Sequence, residues 1–459
     1  MSELQLPNFK ELVNNLKLYA QLKHENGAED VRRHLEEAEE ALQTALSHLR
    51  ALPEDAELAV QEPDDLAAIH TLRPEGPRRI WPSLDEASYR DRLEGALLGR
   101  FAGCILGSSV ELWPVSRMEA WAQETGGSFP PTDYWRAVPE PHQLRYNTIR
   151  RDAYTAGKMD GVPVDDDLAY TLLGLVILEE YGPGFTVDDI GKAWLRYLPF
   201  ACTAEDVALT NLRMGVAAER AARTGGAAPM ALACRMSEEP SIGERGEIDN
   251  PYYQWIGADI RSDPWGYAAP GWPERAAEMA YRDATVSHRR NGIYGAMYFS
   301  AAIAAAFAVD DPMEALHIAL SEIPAGCRLA EAVNWALAEA PKIRDYRQAH
   351  DAVAERFPGM NPVHTLNNAC LTIFGIAIGG KDFTRVISET VAMGLDNDCT
   401  AATAGSIVGA VVGKEGIPPH WTKSFNNKVH SYLIDRPVFE IDDVLERFVA
   451  QAEAVSASV

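Results

Sequence analysis

Apolar residues recur every three or four positions along most of this chain, which is the spacing of an amphipathic or buried α-helix. Beyond residue 86 the spacing predicts twelve helical segments. They cover about 88–106, 167–181, 187–197, 204–223, 273–282, 292–309, 312–320, 328–339, 346–355, 365–379, 383–393 and 399–413. Few stretches alternate apolar and polar residues with β-branched side chains, so a sheet is poorly supported. The pattern therefore predicts an all-α, compact multi-helix fold.

The first 85 residues follow a different pattern from the rest of the chain. Residues 8–51 have helical spacing and predict two helices joined around Asn26-Gly27, with charged residues on the opposite face. We interpret this pair as an appended hairpin for packing, self-association or recruitment of a protein partner. Residues 52–84 are acidic and then Pro-rich, which predicts a connector without regular elements. The sequence thus predicts an N-terminal extension over 1–85 and a main domain over 86–459.

Two segments of the main domain stand out by composition. Residues 297–308 and 399–413 are almost uniformly small and apolar, so these helices are expected to be central and buried. Residues 223–275 are rich in Gly, Pro and aromatic side chains and are too long for a plain connector. This insert is either a functional loop or a surface insertion sealed by its own aromatics.

The charge balance narrows the possible partners. With 42 Lys+Arg against 67 Asp+Glu, the formal charge of −25 repels phosphate backbones and anionic membranes. We therefore expect neither a nucleic acid nor a membrane as a partner. Six cysteines without a CxxC pair fit a reducing compartment, and the N-terminus lacks a secretory signal, so a soluble cytoplasmic protein is expected.

Two carboxylate motifs carry the candidate chemistry. Asp165, Asp166 and Asp167 directly precede a predicted helix, and three adjacent carboxylates repel one another unless a cation lies between them. Asp396 and Asp398 lead into the apolar helix over 399–413, where unpaired charge is costly. Oxygen ligands without His or paired Cys favour Mg²⁺ or Mn²⁺ over zinc or copper. Together the motifs predict a divalent metal centre.

Four ordered blocks around these motifs resemble the ADP-ribosylglycohydrolase family. They are EGALLGRFAGCILGSSVELWP at 94–114, VDDDLAYTLLGLVILE at 164–179, SHRRNGIYGAMYFSAAIAAAF at 287–307 and FTRVISETVAMGLDNDCTAATAGSIVGAVVG at 383–413. The likeness spans about 90–420 and leaves the first 85 residues outside. It implies the all-helical fold of that family.

The resemblance also implies roles for individual residues. Two divalent cations would be held by Asp165, Asp166, Asp167, Asp396, Asp398 and the position of Cys399, where a branch of the family has Cys in place of Thr. Cys104 stands where many members have Asp, so one carboxylate near the site is missing. The implied catalytic residues are Glu111, Asp167 and Asp398. The implied substrate-binding residues are His288, Asn291 and Gly292, and in the aromatic insert we add Trp255, Tyr267 and Asp263 as candidates.

The resemblance implies an enzyme that hydrolyses a ribosyl glycosidic bond of an ADP-ribosylated protein or small molecule. Two alternatives stay open at this point. One is an N-glycosidase of a nucleoside-like metabolite, because the acidic chain has no evident Gly-rich phosphate loop or basic cluster. The other is a non-catalytic ADP-ribose binder or structural protein, since the family also includes lens crystallins.

Overall fold

The structure, a computed structural model, describes residues 6–53, 55–222 and 250–458. Over these residues the chain forms twenty α-helices and is 64% helical. The helices are α1 Phe9–Glu25, α2 Val31–Arg50, α3 Ala56–Gln61, α4 Leu66–Leu72, α5 Glu86–Ser108, α6 Val115–Glu124, α7 Asp166–Tyr181, α8 Val187–Tyr197, α9 Thr203–Arg213, α10 Ala218–Ala221, α11 Asp263–Ala268, α12 Pro273–Ala284, α13 Asn291–Ala306, α14 Pro312–Ala319, α15 Arg328–Glu339, α16 Tyr346–Arg356, α17 Thr365–Gly379, α18 Phe383–Ala392, α19 Asn397–Val412 and α20 Ile441–Ala457. The predicted all-α fold is confirmed.

Strands contribute only two small antiparallel hairpins within the described ranges. In the first, β1 (Leu144–Arg145) pairs with β2 (Ile149–Arg150), so that Arg145 lies opposite Ile149. In the second, β3 (Lys428–His430) pairs with β4 (Val438–Glu440). The three residues between β1 and β2 include Tyr146 and Asn147, both with positive φ. The first hairpin matters for function because it reaches the carboxylate motifs.

The predicted helices differ from the observed ones mainly at breaks and omissions. The segment predicted over 204–223 is split into α9 and α10, because Gly215 adopts a positive φ of 84° and interrupts the helix. Helices α6, α11 and α20 were not predicted. The connector over 52–84 contains the short helices α3 and α4, so the expectation that it has no regular element is wrong. Asp55 and Asp65 cap these two helices, and each helix starts three residues after a proline, Pro53 or Pro63.

The connector is packed onto the main body. Arg328 donates to both carboxylate oxygens of the buried Glu62, at 2.9 Å each. Arg73 and Arg78 both pair with the buried Glu322, at 2.6 and 3.0 Å. By contrast, neither α1 nor α2 contains a buried residue. Self-association through this hairpin stays a prediction, as does the domain division at residues 85 and 86.

The core is built around helices whose surfaces are buried on all sides. All sixteen residues of α13 are buried, and α13 packs against α12 and α14. Helix α19 is buried from Asn397 to Val411 and packs along α5. The two helices predicted to be central from their small apolar residues, over 297–308 and 399–413, are therefore central.

Helices α5 and α19 touch backbone to backbone. Four glycines of α5, spaced four residues apart, lie on one face, and a Cβ added to any of them would come within 2.0 to 2.4 Å of the α19 backbone. The four are Gly95, Gly99, Gly103 and Gly107. Only glycine, whose side chain is a hydrogen atom, allows the two helices to approach this closely at these positions. The contact brings the C-terminal end of α5 against the first residues of α19.

None of the helices described by the structure is long and apolar enough to cross a membrane. The part of the aromatic insert over 223–249 lies outside the described residues.

Candidate metal centre

Four chain segments meet at one carboxylate cluster. The C-terminal end of α5 and the turn after it bring Cys104, Ser108 and Glu111, and the N-terminal end of α7 brings the three adjacent aspartates. The N-terminal end of α19 adds Asp396 and Asp398, and the β1–β2 hairpin adds Arg145. The two carboxylate motifs predicted to act together are therefore joined in space, although 231 positions separate Asp167 from Asp398.

Asp165 is the N-cap of α7 and its carboxylate is saturated by protein donors. Its Oδ1 accepts from the amide of Asp167 at 3.2 Å, and its Oδ2 accepts from the Ser108 hydroxyl at 2.8 Å. Nη2 of Arg145 lies 3.2 Å from the same Oδ2. Asp165 thus fixes the start of the helix, and its predicted role as a metal ligand stays a prediction.

Asp166 and Asp167 differ in what their oxygens contact. The Tyr146 hydroxyl donates to Oδ1 of Asp166 at 2.6 Å. Oδ1 of the buried Asp167 has no hydrogen-bond partner within the described ranges, and the nearest cation is Nη2 of Arg100 at 3.7 Å. A buried acceptor without a donor is costly unless a cation or water reaches it. The unpaired oxygen of Asp167 therefore indicates that a ligand binds here.

Asp396 and Asp398 are placed by a strained turn at the start of α19. Gly394 and Leu395 both have positive φ, 77° and 59°, and such a value is uncommon for leucine. The Leu395 carbonyl accepts from the amide of Leu112 at 3.0 Å, which fixes the turn against the segment that carries Glu111. Oδ1 of Asp398, like that of Asp167, is buried without a hydrogen-bond partner in the described part of the chain.

Burial and mutual repulsion raise the pKa of these carboxyls. Desolvation is the largest cause in each case, followed by the neighbouring carboxylates for Asp167, Asp396 and Asp398, whose pKa values lie well above the usual range. Desolvation raises the pKa of Asp165 to about 6, although Arg145 opposes the shift. The surroundings therefore disfavour the fully ionised cluster, and a bound cation would stabilise that form.

Two groups of side chains have ligand atoms close enough to share an ion. Cys104, Asp165 and Asp167 form one group, and Glu111, Asp396 and Asp398 form the other, with the atoms of each within 4.8 Å of one another. Oxygen donors predominate, which suits Mg²⁺ or Mn²⁺. Burial keeps the pKa of the Cys104 thiol well above its ordinary value, so it is protonated unless a cation binds.

Cys399 lies in neither group of the described residues, and its role as a metal ligand stays a prediction. It follows Asp398 directly on α19, and successive helical residues point about 100° apart. Burial is the largest cause that raises the pKa of the Cys399 thiol well above the ordinary value, and the charges of Asp167 and Asp396 add to the shift.

Arg145 is the residue of this centre that the sequence did not predict. Its Nη2 lies 2.9 Å from Oε2 of Glu111 and 3.1 Å from Oδ2 of Asp398, in addition to its contact with Asp165. No periodic pattern precedes it, since the hairpin lies in a stretch of irregular structure between α6 and α7. A short run of alternating residues around Tyr146-Asn147 was the available signal. Glu111 is at the rim of the cluster, with 35% of its side chain exposed.

A second buried polar group surrounds Arg261. Its guanidinium donates to Asp283 at 2.6 Å and to the Ser287 hydroxyl at 2.9 Å, and it pairs with Glu205. The Ser287 hydroxyl lies 2.8 Å from Nδ1 of His288. Burial raises the pKa of Glu205 to about 7, and the charge of Asp166 contributes to that shift, so this group neighbours the metal centre.

The predicted substrate residues His288, Asn291 and Gly292 lie beside this second group. His288 is fully buried, burial lowers its pKa well below the ordinary value, and its Nε2 has no hydrogen-bond partner among the described residues. Asn291 bonds the Gln254 side chain and the Leu329 amide, which ties α13 to α15. A Cβ on Gly292 would come 2.4 Å from the Tyr253 carbonyl. Only His288 keeps a polar atom for a ligand.

The structure corrects the roles predicted for Asp263 and Tyr267. Asp263 pairs with the buried Arg100 at 2.6 Å, and the Tyr267 hydroxyl lies 3.1 Å from Asp263 and 2.8 Å from the Ser406 hydroxyl. Both residues are fully buried, so neither offers a surface to a substrate. Trp255 is half-buried and packs edge to face on Tyr252 at 4.6 Å, and its role in stacking on a base stays a prediction.

The protein is all-helical, and its helices pack around a buried carboxylate cluster. Two groups of side chains in this cluster could each bind a cation, so the cluster is a candidate metal centre. The ADP-ribosylglycohydrolase family model matches residues 85–455, and the chain belongs to this family. The family is described as ADP-ribosylglycohydrolase and is generally metal-dependent, which supports an enzyme that hydrolyses glycosidic bonds.

Comparison with individual proteins adds little beyond the family. A solved structure described as an ADP-ribosylglycohydrolase-related protein complex is 18% identical, with a TM-score of 0.47, over 81% of this chain and 99% of that chain. No curated protein matches the chain.

Proposed function

We propose that this protein is a metal-dependent hydrolase of ribosyl glycosidic bonds, acting on an ADP-ribosylated protein or small molecule. One observation carries the proposal. Two buried carboxylate oxygens, Oδ1 of Asp167 and Oδ1 of Asp398, lack any protein donor within the described ranges, and both belong to a cluster rich in oxygen donors. Such oxygens suit Mg²⁺ or Mn²⁺. Asp396, beside Asp398, completes the candidate ligand set.

The chain's own residues have distinct tasks in this proposal. When bound, a divalent cation supplies positive charge that orients sugar hydroxyls and makes a nearby water more acidic. Asp167, Asp396 and Asp398 would hold it, while Asp165 fixes the α7 terminus on which Asp167 lies. Tyr146 keeps Asp166 in place through its hydroxyl. The site thereby offers a fixed position for the ribose.

Glu111 is the residue we assign to proton transfer. Cleavage of a ribosyl bond passes through an oxocarbenium-like transition state and requires a group that takes a proton from the attacking water. Glu111 is at the solvent-facing rim of the cluster, and Arg145 holds its Oε2 at 2.9 Å. The other oxygen of Glu111 is available to a water or a leaving group. Glu111 is therefore placed to accept a proton and return it.

An N-glycosidase of a nucleoside-like metabolite is the second candidate. The partly exposed rings of Tyr146 and Phe200 lie nearly parallel, with centroids 6.3 Å apart, and the Tyr146 hydroxyl bonds Asp166. Aromatic faces beside the carboxylates would suit a planar base as the leaving group. The remaining alternative, a non-catalytic binder or structural protein, is kept as an outcome of the test.

Substrate assays separate these functions. We expect the wild type to release ADP-ribose from ADP-ribosyl-arginine with Mg²⁺ or Mn²⁺ and to lose activity with EDTA. Base release from nucleosides instead would favour the N-glycosidase, and ADP-ribose binding without any turnover would favour the non-catalytic binder and refute the hydrolase.

Two variants test the assigned residues. Asp398→Asn should lower turnover by more than about 100-fold, because removing even indirect partners of metal ligands costs about 10- to 100-fold. The exposed Asp188→Asn on α8 is the matched control. Glu111→Gln should lose about 10² to 10⁴ in rate while it still binds Mn²⁺. Full activity in either site variant would contradict its assignment.

A further inference from the structure

The guanidinium of Arg145 occupies the middle of the carboxylate cluster. Its Nη2 lies 2.9 Å from Glu111, 3.1 Å from Asp398 and 3.2 Å from Asp165. These partners come from both groups of candidate ligands, since Asp165 belongs to the Cys104 group and the other two to the Asp396 group. A single charged nitrogen therefore bridges the two places where an ion could bind.

Several contacts hold this guanidinium in place. Nη1 donates to the Ser108 carbonyl at the end of α5. The Arg145 side chain is 17% exposed and its guanidinium lies over the rings of Tyr146 and Tyr154, at 5.1 and 5.7 Å. Tyr146, the next residue of the hairpin, donates to Asp166. Two adjacent side chains of one hairpin thus contact four carboxylates of the cluster.

An ion and this guanidinium cannot share the same oxygens. A Mg²⁺ or Mn²⁺ ion bound to Oε2 of Glu111 and Oδ2 of Asp398 would lie about 2 Å from each oxygen, in the space that Nη2 occupies. Two positive charges so close would also repel each other strongly in a buried site. The residues present therefore fit one divalent ion and do not fit two.

We propose that Arg145 takes the place of one of the two divalent cations expected for this family, so that the centre binds a single divalent ion. That ion would use oxygens that Arg145 does not contact, which are Oδ1 of Asp167 in the Cys104 group, or Oδ1 of Asp398 and the Asp396 carboxylate in the Glu111 group. The first two are buried and have no donor in the described part of the chain. This inference rests on the proposed metal dependence but is independent of the substrate.

Metal stoichiometry tests the proposal without any turnover. Purified full-length protein is stripped with EDTA and titrated with Mn²⁺, with free Mn²⁺ measured by electron paramagnetic resonance and bound metal by elemental analysis. We expect one Mn²⁺ per chain in the wild type and two in Arg145→Gln, because the variant frees oxygens of Glu111 and Asp398. Arg145→Lys, which keeps the positive charge, should bind one. The matched control is Arg150→Gln, on the same hairpin but paired with Asp152.

Each outcome has a defined meaning. Two ions in the wild type would overturn the proposal and leave the proposed hydrolase intact. One ion in Arg145→Gln, in a variant whose circular dichroism matches the wild type, would also overturn it. If Arg145→Gln does not fold, the wild-type and Arg145→Lys stoichiometries decide. Failure of the wild type to bind any Mn²⁺ would refute both this inference and the proposed metal dependence.

Discussion

The contact between α5 and α19 gives a quantitative prediction for the metal centre. A Cβ on Gly107 would lie 2.4 Å from the Cα of Asp398 and 2.5 Å from its amide nitrogen. Ordinary contact begins near 3.4 Å, so in Gly107→Ala the start of α19 must move by about 1 Å. The backbone that moves is that of Asp398 itself, and a side-chain rotation cannot relieve the contact.

We expect Gly107→Ala to affect both function and stability. A displacement of about 1 Å at a site that needs fixed geometry costs about 100-fold in rate, and overpacking of a buried contact costs about 1 to 3 kcal/mol. Mn²⁺ affinity should fall as well, because the Asp398 carboxylate is displaced from the other candidate ligands of its group. Gly157→Ala is the control, since nothing lies within 4 Å of a Cβ there.

The measurements are a Mn²⁺ titration, turnover of ADP-ribosyl-arginine and chemical unfolding of both variants beside the wild type. Gly157→Ala should match the wild type in all three. If Gly107→Ala kept wild-type metal affinity and stability, the close approach of α5 and α19 would not be what places Asp398, and the reasoning would be refuted.

Three further predictions concern stability. His364 is the N-cap of α17, and burial lowers its pKa to about 4. As pH falls below 6.5, the unfolded chain therefore takes up a proton at this residue before the folded chain does. The free energy of unfolding should consequently drop by about 3 kcal/mol between pH 7 and pH 4. His364→Asn keeps a capping side chain, and denaturant titrations should show that its stability falls less than that of the wild type over this pH range. Parallel stability-against-pH profiles of the two proteins would contradict the prediction. Arg261→Met should lower the free energy of unfolding by about 3 kcal/mol or more, because Asp283 and Glu205 lose their buried partner. A decrease below about 1 kcal/mol, which is the scale of exposed ion pairs, would disprove this prediction. Burial and the neighbouring carboxylates raise the pKa of Asp167 and Asp398 well above the usual range, so protons compete with an ion for these oxygens more strongly as pH falls; Mn²⁺ should therefore raise the melting temperature more at pH 7.5 than at pH 5, and equal shifts would argue against it.

Much of the fold could be predicted from the sequence because periodicity is a local property. Helices α8, α15 and α17 begin and end where the apolar spacing predicted them. Helix α20 was missed although it is amphipathic, and the short α3 and α4 were hidden by the prolines around them. Asp55 and Asp65 at their N-caps were the signal, since a capping side chain can start a helix shortly after a proline.

The candidate site was predictable only where charge accumulates along the chain. Adjacent aspartates show in the sequence that something positive must lie nearby, but they do not show what it is. Tyr267 and Asp263 looked available in an aromatic insert, whereas packing buries both around Arg100. A buried arginine in an apolar helix such as α5 indicates a carboxylate partner elsewhere, and that signal could have assigned Asp263 to the core.

Two arginines stabilise the carboxylate cluster from opposite sides, and their surroundings differ. Arg100 donates to Thr171, Asp263 and the carbonyls of Asp167 and Ile260, so its guanidinium is fixed within the core behind Asp167. Arg145 approaches from a short hairpin at the rim, and it contacts the carboxylates themselves rather than their backbone. Positive charge in this centre therefore depends on residues without a motif of their own, 20 or more positions away from the aspartates.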